Sequence, residues 1–261
     1  MKNIAVRIMY DGSRYHGWQI QKNGITVQER IEEVLSGLTG EKISVCGCSR
    51  TDAGVHALEY VFNFKSSTGI PPERLPYAIN AQLRDDDIAA CEARVVSDGF
   101  SARFSSKGKR YVYKILNTKQ PNPFVSRYSW HVPYELDIDA MKQAAQHFWG
   151  RHDFSAFMAA GGSQKTTVRT VRACCVRESC GMNGQLEIEV EADAFLYNMV
   201  RIITGTLAAV GTGKIRSGDI PSIIEGRDRR RAGMTAPPEG LFLKKVFYEP
   251  EELEFRREDK I

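Results

Sequence analysis

Apolar and polar positions along the chain divide it into two successive sets of elements. In the first set, Asn3–Tyr10 reads as a strand closed by Asp11-Gly12. Thr26 and Glu29 have the spacing of a capping box, and Val27, Ile31, Val34, Leu35 and Leu38 give the helix that follows one apolar face. Ile43–Cys48 and Leu58–Lys65 are strand-like, Pro71–Ala81 opens with two prolines suited to a first helical turn, and Ile88–Val95 closes the set as a strand.

The second set begins with Arg110–Leu116, where Tyr111, Tyr113 and Ile115 alternate with Val112, Lys114 and Leu116. Asp137 sits where a cap belongs, before a helix carrying Ile138, Met141, Ala145 and Phe148 on one side. Val168–Arg177 and Gln185–Ala192 flank a connection containing Asn183-Gly184, the signature of a hairpin. Leu186, Ile188 and Val190 alternate there with Glu187, Glu189 and Glu191, the pattern of a half-buried antiparallel sheet. Asn198–Val210 reads as a helix, Pro221–Glu225 as a short one, and Leu241–Phe247 as a last strand before the charged tail Glu251–Ile261.

Strand, helix, strand, strand, helix, strand thus occurs twice in outline, with a joint near Phe100–Lys109 and no repeat at the level of residues. The fold class expected is α+β: two subdomains, 1–105 and 106–261, each a mostly antiparallel sheet with helices on one face. At 261 residues, 42% hydrophobic and 26% charged, the chain can bury a large core. Its net charge of +4 permits a polyanionic partner without demanding one. Lys2 and Arg7 interrupt the N-terminus before a signal-peptide core could form, and no run approaches a membrane span, so a cytoplasmic protein is expected. Six cysteines fit no zinc spacing; free, mostly buried thiols and no metal are expected.

Four segments carry candidate chemistry. In Ser49-Arg50-Thr51-Asp52-Ala53-Gly54-Val55-His56 an arginine stands two residues from a carboxylate, within a turn that feeds a strand. Arg50 can hold Asp52 ionised there, although the same spacing also serves purely structural ion pairs. Tyr10–Gln19 interleaves aromatics with Gly, Arg14 and Gln, which suits stacking bases and gripping phosphates, or equally a turn whose aromatics cover the core edge. Arg103, Lys107, Lys109 and Arg110 crowd the connector ahead of Tyr111 and suggest backbone electrostatics along an RNA path; a solvated loop has the same look. On the Asn198–Val210 helix Arg201 lies opposite the apolar stripe, beside Gly205 and Ala208. Such small neighbours suggest close approach of another element or a substrate, with a carboxylate or phosphate for the guanidinium, for which Asp52 is the natural candidate; a surface arginine on a chance patch of small residues has the same pattern. A basic loop, Arg227 and Arg229–Arg231, adds a further possible phosphate contact.

Taken in order, YDGSRYHGWQ, SRTDAGVHALEYV, FSARF with KRYVY, FLYNMVRIITGTL and APPEGLFL resemble the TruA-type tRNA pseudouridine synthases, across residues 10 to 243. The resemblance implies the pseudouridine synthase fold, a ferredoxin-like duplication with a basic cleft between its two halves. It implies a cofactor-free enzyme, a homodimer whose two subunits share one tRNA, and isomerisation of uridines 38, 39 and 40 in the anticodon stem-loop. Asp52 matches the family's catalytic aspartate, Arg50 the motif arginine, Tyr111 the active-site tyrosine, and Arg201 the arginine that pairs with the aspartate. Ser101 stands where many members have histidine, and Ile202 where asparagine is common. A non-catalytic RNA-binding module and a carboxylate-dependent glycosidase or nucleosidase are the alternatives; the first leaves Asp52 and Arg201 without a role, the second lacks a paired acid.

Overall fold

The computed structural model describes residues 1–162, 164–179, 181 and 183–255. It is a mixed α+β chain of mostly antiparallel strands with five α-helices among those residues. Two compact units are present, one of Met1–Lys107 joined by the chain from Leu243 onward, the other of Gly108–Phe242.

The first unit runs β1 (Lys2–Tyr10), α1 (Val27–Thr39), β2 (Cys46–Gly47), β3 (His56–Ser66), α2 (Leu75–Gln82) and β4 (Ile88–Val96). Strand β1 lies between β4 and β3, antiparallel to both, with β2 against β3. Ile4, Val6 and Ile8 face Phe64, Phe62 and Tyr60 across the β1–β3 ladder, and all six are buried. Thr26 caps α1 as its spacing predicts, its hydroxyl accepting the Glu29 N–H at 3.3 Å. Thr26 is fully buried, so Thr26→Ala removes the cap together with a buried methyl group. It should lower unfolding free energy by about 1 kcal/mol, read as a fall in the urea midpoint with an unchanged slope.

Two expectations for this unit need correction. Ile43–Cys48 pairs only at Cys46 and Gly47. Upstream, the Ile43 N–H goes to Ser36 Oγ at 3.1 Å and the Val45 N–H to Glu32 Oε1 at 2.9 Å. Side chains of α1 satisfy donors that a ladder would otherwise need, so no strand forms there. The two prolines open a short 3₁₀ turn, Pro72–Arg74, before α2 itself begins.

The second unit runs β5 (Gly108–Leu116), β6 (Trp130–His131), α3 (Ile138–Gln146), β7 (Gly150–Asp153), β8 (Val168–Glu178), β9 (Gln185–Ala192), α4 (Met199–Gly211) and α5 (Ile220–Gly226). Strands β5, β9, β8 and β7 follow one another in an antiparallel array. Tyr111, Val190 and Cys174 share one face of it and are buried. Asp137 caps α3, accepting the Ala140 N–H at 2.9 Å. Helix α4 is buried over nearly its whole length, Thr204 and Thr206 included. The short strands β6 and β7 have no counterpart in the sequence pattern, being too brief for alternation to register. The last strand, β10 (Leu241–Phe247), lies next to β3.

No described helix is long and apolar enough to cross a membrane. The thiols of Cys46, Cys48, Cys91, Cys174 and Cys175 are free, but only Cys48 and Cys174 are buried, against the expectation of mostly buried thiols. Cys180 lies outside the described residues, as does the charged tail beyond Phe255.

Candidate active site

In the first unit the Asp52 turn and the Tyr10–Gln19 segment, which look independent in sequence, are two sides of one clasp. Strand β1 ends where β3 begins, Tyr10 pairing with Ala57, so the loops that leave them are neighbours. Tyr10 and Thr51 share a buried hydroxyl hydrogen bond of 2.9 Å. The Trp18 N–H donates to Thr51 O at 3.2 Å, the Gly54 N–H to Tyr15 O at 3.3 Å, and the Gly12 N–H to His56 Nδ1 at 3.1 Å. Inside the turn the Val55 N–H returns to Asp52 O at 3.2 Å. Gly17 has φ +84°, and a Cβ there would meet Thr51 O at 2.4 Å, so only glycine permits this approach. The result is a half-buried Asp52 on a backbone held at several points by another segment.

The aromatics of that segment belong to the core. Tyr10, Tyr15 and Trp18 are buried, and Trp18 stacks on Tyr60 at 4.0 Å. The Tyr60 hydroxyl in turn donates to Ser49 O, at the entry to the Asp52 turn. Burial pushes the Tyr15 phenol up to about 12, so it stays a donor, bonded to Asp86 O. Of the two readings offered for these rings, the core edge is therefore the structural one, and they support the turn from beneath.

The arginines of the first unit divide sharply. Arg50 is exposed and forms no ion pair among the described residues, so the expected Arg50–Asp52 bridge is absent. Arg14 is engaged by Asp87 at 2.8 Å and by Asp85 O. Arg103 is exposed, its guanidinium 5.2 Å from the Phe104 ring centroid.

In the second unit Tyr111 stands on β5, buried and edge-on to Phe195, with ring centroids 4.9 Å apart. Its neighbour Arg110 crosses to β9, where Glu191 accepts from Nε at 2.9 Å and from Nη2 at 2.6 Å, with Glu189 at 3.6 Å. Those hydrogen bonds raise the Arg110 pKa further. Much of its charge is thus matched inside the fold, which the alternating glutamates of β9 anticipate once the register is known. Lys109 is half-buried opposite Ala192.

Arg201, in the first turn of α4, is oriented by its own unit. Its Nε donates to Ala236 O at 2.7 Å and Nη1 to Asn198 Oδ1 at 2.9 Å, while the Ala236 N–H returns to Arg201 O at 3.1 Å. Asn198, at the head of α4, has φ +59°. The close approach implied by Gly205 is made by residues 233–236: a Cβ on Gly205 would lie 1.9 Å from Met234 O. The Gly233 N–H donates to Thr206 Oγ1 at 2.8 Å. Arg229 then holds the same segment from outside, donating to Gly233 O at 2.8 Å and Thr235 Oγ1 at 3.2 Å.

The other arginines of the basic loop are similarly occupied. Arg227 meets Asp153 at 3.2 Å, Arg231 donates to Ser222, and Arg230 chelates Asp228, holding that carboxyl down at about 2. Ile202, one of the two departures, is fully buried. Among the described residues no group of three or more His, Cys, Asp or Glu is gathered within reach of a metal ion.

These features belong to an α+β protein, and comparison with known proteins supplies its class. The family model described as tRNA pseudouridine synthase matches residues 6–105 and 144–249. The chain is 50% identical over 248 residues to "tRNA pseudouridine synthase A" of Thermoanaerobacter sp. (strain X514), covering 95% of this chain and 100% of the relative. The protein of the same name in Acetivibrio thermocellus is also 50% identical, with the same coverage. "tRNA pseudouridine synthase A 2" of Clostridium perfringens is 44% identical over 248 residues, again covering 95% of this chain and 100% of the relative. The chain belongs to the tRNA pseudouridine synthase family, the isomerases that turn uridine into pseudouridine in tRNA, and is of the TruA type.

Proposed function

We propose that this chain isomerises uridines 38, 39 and 40 in the anticodon stem-loop of tRNA, with Asp52 acting on a flipped-out nucleotide. The observation that supports it most is the clasp around the Asp52 turn, built from Tyr10, Gly12, Tyr15 and Trp18. A carboxylate on a backbone so constrained is preorganised and loses little freedom when substrate arrives.

The chemistry asks for few groups. The N1–C1′ bond breaks, the uracil turns, C5 joins C1′, and the C5 proton is exchanged for one on N1. Substrate and product are isomers, so the reaction needs no net oxidation or reduction. A stacked uridine must first leave the helix, at a cost of a few kcal/mol, offset by contacts to the phosphates. Asp52 then serves as nucleophile at C1′ or as base toward the C2′ proton. Tyr111 stacks on the everted uracil and assists removal of the C5 proton. Arg201 keeps Asp52 ionised, the role that its match to the family motif assigns. Arg50 and Arg103, exposed and free of ion pairs among the described residues, grip phosphates. Arg14, Lys109 and Arg110 supply weaker contacts, Arg14 and Arg110 being already matched by carboxylates. The working form is a cytoplasmic homodimer.

Two measurements test this reading. Treating unmodified tRNA transcripts with the protein should place pseudouridine at 38, 39 and 40; modification confined to another arm overturns the assignment. Arg201→Ala should cut turnover tenfold or more while tRNA affinity falls less. Weaker binding with unchanged turnover at saturation would argue against its partnership with Asp52.

A further inference from the structure

Residues 97–105 form a turn whose base is locked and whose tip is bare. Buried Asn3 donates to Ser97 O at 2.7 Å and to Phe100 O at 3.0 Å. Buried Asn63 accepts the Ala102 N–H at 2.8 Å and donates to Asn3 Oδ1 at 2.9 Å. The Tyr248 hydroxyl donates to Ala102 O at 2.7 Å, and the ring of Phe100, itself buried, packs against Tyr248 at 5.3 Å. Within the turn the Ser105 N–H bonds Ser101 O at 2.9 Å. Asn3 on β1, Asn63 on β3 and Tyr248, just after β10, thus fix the segment in place.

At the tip Phe104 is 79% exposed, beside the guanidinium of Arg103. Exposed phenylalanines are unremarkable on a loose loop; one held out on a clamped turn, next to an arginine without an ion pair among the described residues, is a prepared surface. The residues flanking it are Ser101, Ser105, Ser106 and Lys107. The core of a protein–protein contact is apolar and poor in lysine and serine, so this setting favours RNA over a protein partner. An aromatic face presented with a cation matches an unstacked base and its phosphate.

We propose that Phe104 is a stacking platform for an unpaired nucleobase of the tRNA, with Arg103 on the adjoining phosphate. The proposal rests on the reading of the chain as a tRNA-modifying enzyme. Phe104 takes no part in the bond-making steps, so its contribution lies in substrate affinity.

The experiment compares Phe104→Ala and Phe104→Trp, using unmodified tRNA and a blunt RNA duplex as probes. Phe104→Ala should raise the Kd for tRNA about tenfold and leave turnover at saturating tRNA within about twofold. The duplex, which offers no unpaired base, should bind both forms alike. Phe104→Trp should bind tRNA as the parent does and show added quenching of indole emission when tRNA is bound. An unchanged Kd in Phe104→Ala, an equal loss of duplex binding, or unquenched emission each overturns the platform. So does a change of oligomeric mass in Phe104→Ala at unaltered tRNA affinity, which assigns the tip to a protein contact. Pseudouridine formation by the unmutated chain is followed in the same samples; its absence faults the enzymatic reading, its presence with an unchanged Kd faults only the platform.

Discussion

Asp52→Asn should abolish pseudouridine formation, by about 10⁴-fold or more, while tRNA affinity stays equal or rises slightly. Asparagine keeps the size of the side chain and removes its charge, so neither nucleophilic attack nor proton abstraction survives. The contacts of the clasp do not use that charge. The contacts that clasp the turn use the main chain of residues 51, 52, 54 and 55 and the side chains of Tyr10, Thr51 and His56. The clasped turn should therefore keep its fold, seen as an unchanged far-UV circular dichroism spectrum. Loss of a negative charge facing a polyanion does not weaken binding, so filter binding separates a dead catalyst from a misfolded one. Turnover within tenfold of the parent would remove Asp52 from the mechanism.

Gly205→Ala should be the second most damaging change, although it adds a single methyl group remote from Asp52 in sequence. Its Cβ would lie 1.9 Å from Met234 O, a main-chain atom, so the backbone of residues 233–236 must move. That segment is pinned on both sides, by Thr206 Oγ1 to the Gly233 N–H and by Arg229 to Gly233 O and Thr235 Oγ1. Its displacement carries away Ala236 O, the acceptor for Arg201 Nε. Overpacking of this kind costs about 1–3 kcal/mol, seen as a drop of several °C in the melting midpoint. Turnover should fall tenfold or more through the misdirected guanidinium. If turnover holds while stability falls, the 233–236 segment supports the fold alone and does not orient Arg201.

How much of this was legible in the sequence depends on the range over which each feature is encoded. Features encoded within a few residues are legible. Thr26 and Asp137 cap where their spacing says, and β10 has the bounds its apolar run suggests. The motif around Asp52 marks the turn, and Gly205 with Ala208 marks a close approach, since small side chains on an otherwise buried helix need a neighbour. Features that depend on partners distant in the chain were not legible. Nothing near Ile43 announces that Glu32 and Ser36 will take its segment's N–H groups. Arg50 looks like the partner of Asp52 because the two are close in sequence, yet the turn projects it into solvent. Arg110 reads as a free RNA contact until the β5–β9 register sets it opposite Glu191. Nor does any local signal mark Leu243 as the point where the chain rejoins the first unit. The supporting residues Tyr10, Thr51 and His56 lie inside recognisable motifs, but their pairing emerges only when β1 and β3 are laid side by side.

The central claim is that a carboxylate held on this clasped turn isomerises uridine within tRNA. Tritium release from tRNA labelled at uridine C5 tests it most directly. One tritium should be released to water per pseudouridine formed, all of it from the anticodon stem-loop. Tight binding without tritium release, or free uracil among the products, would contradict it.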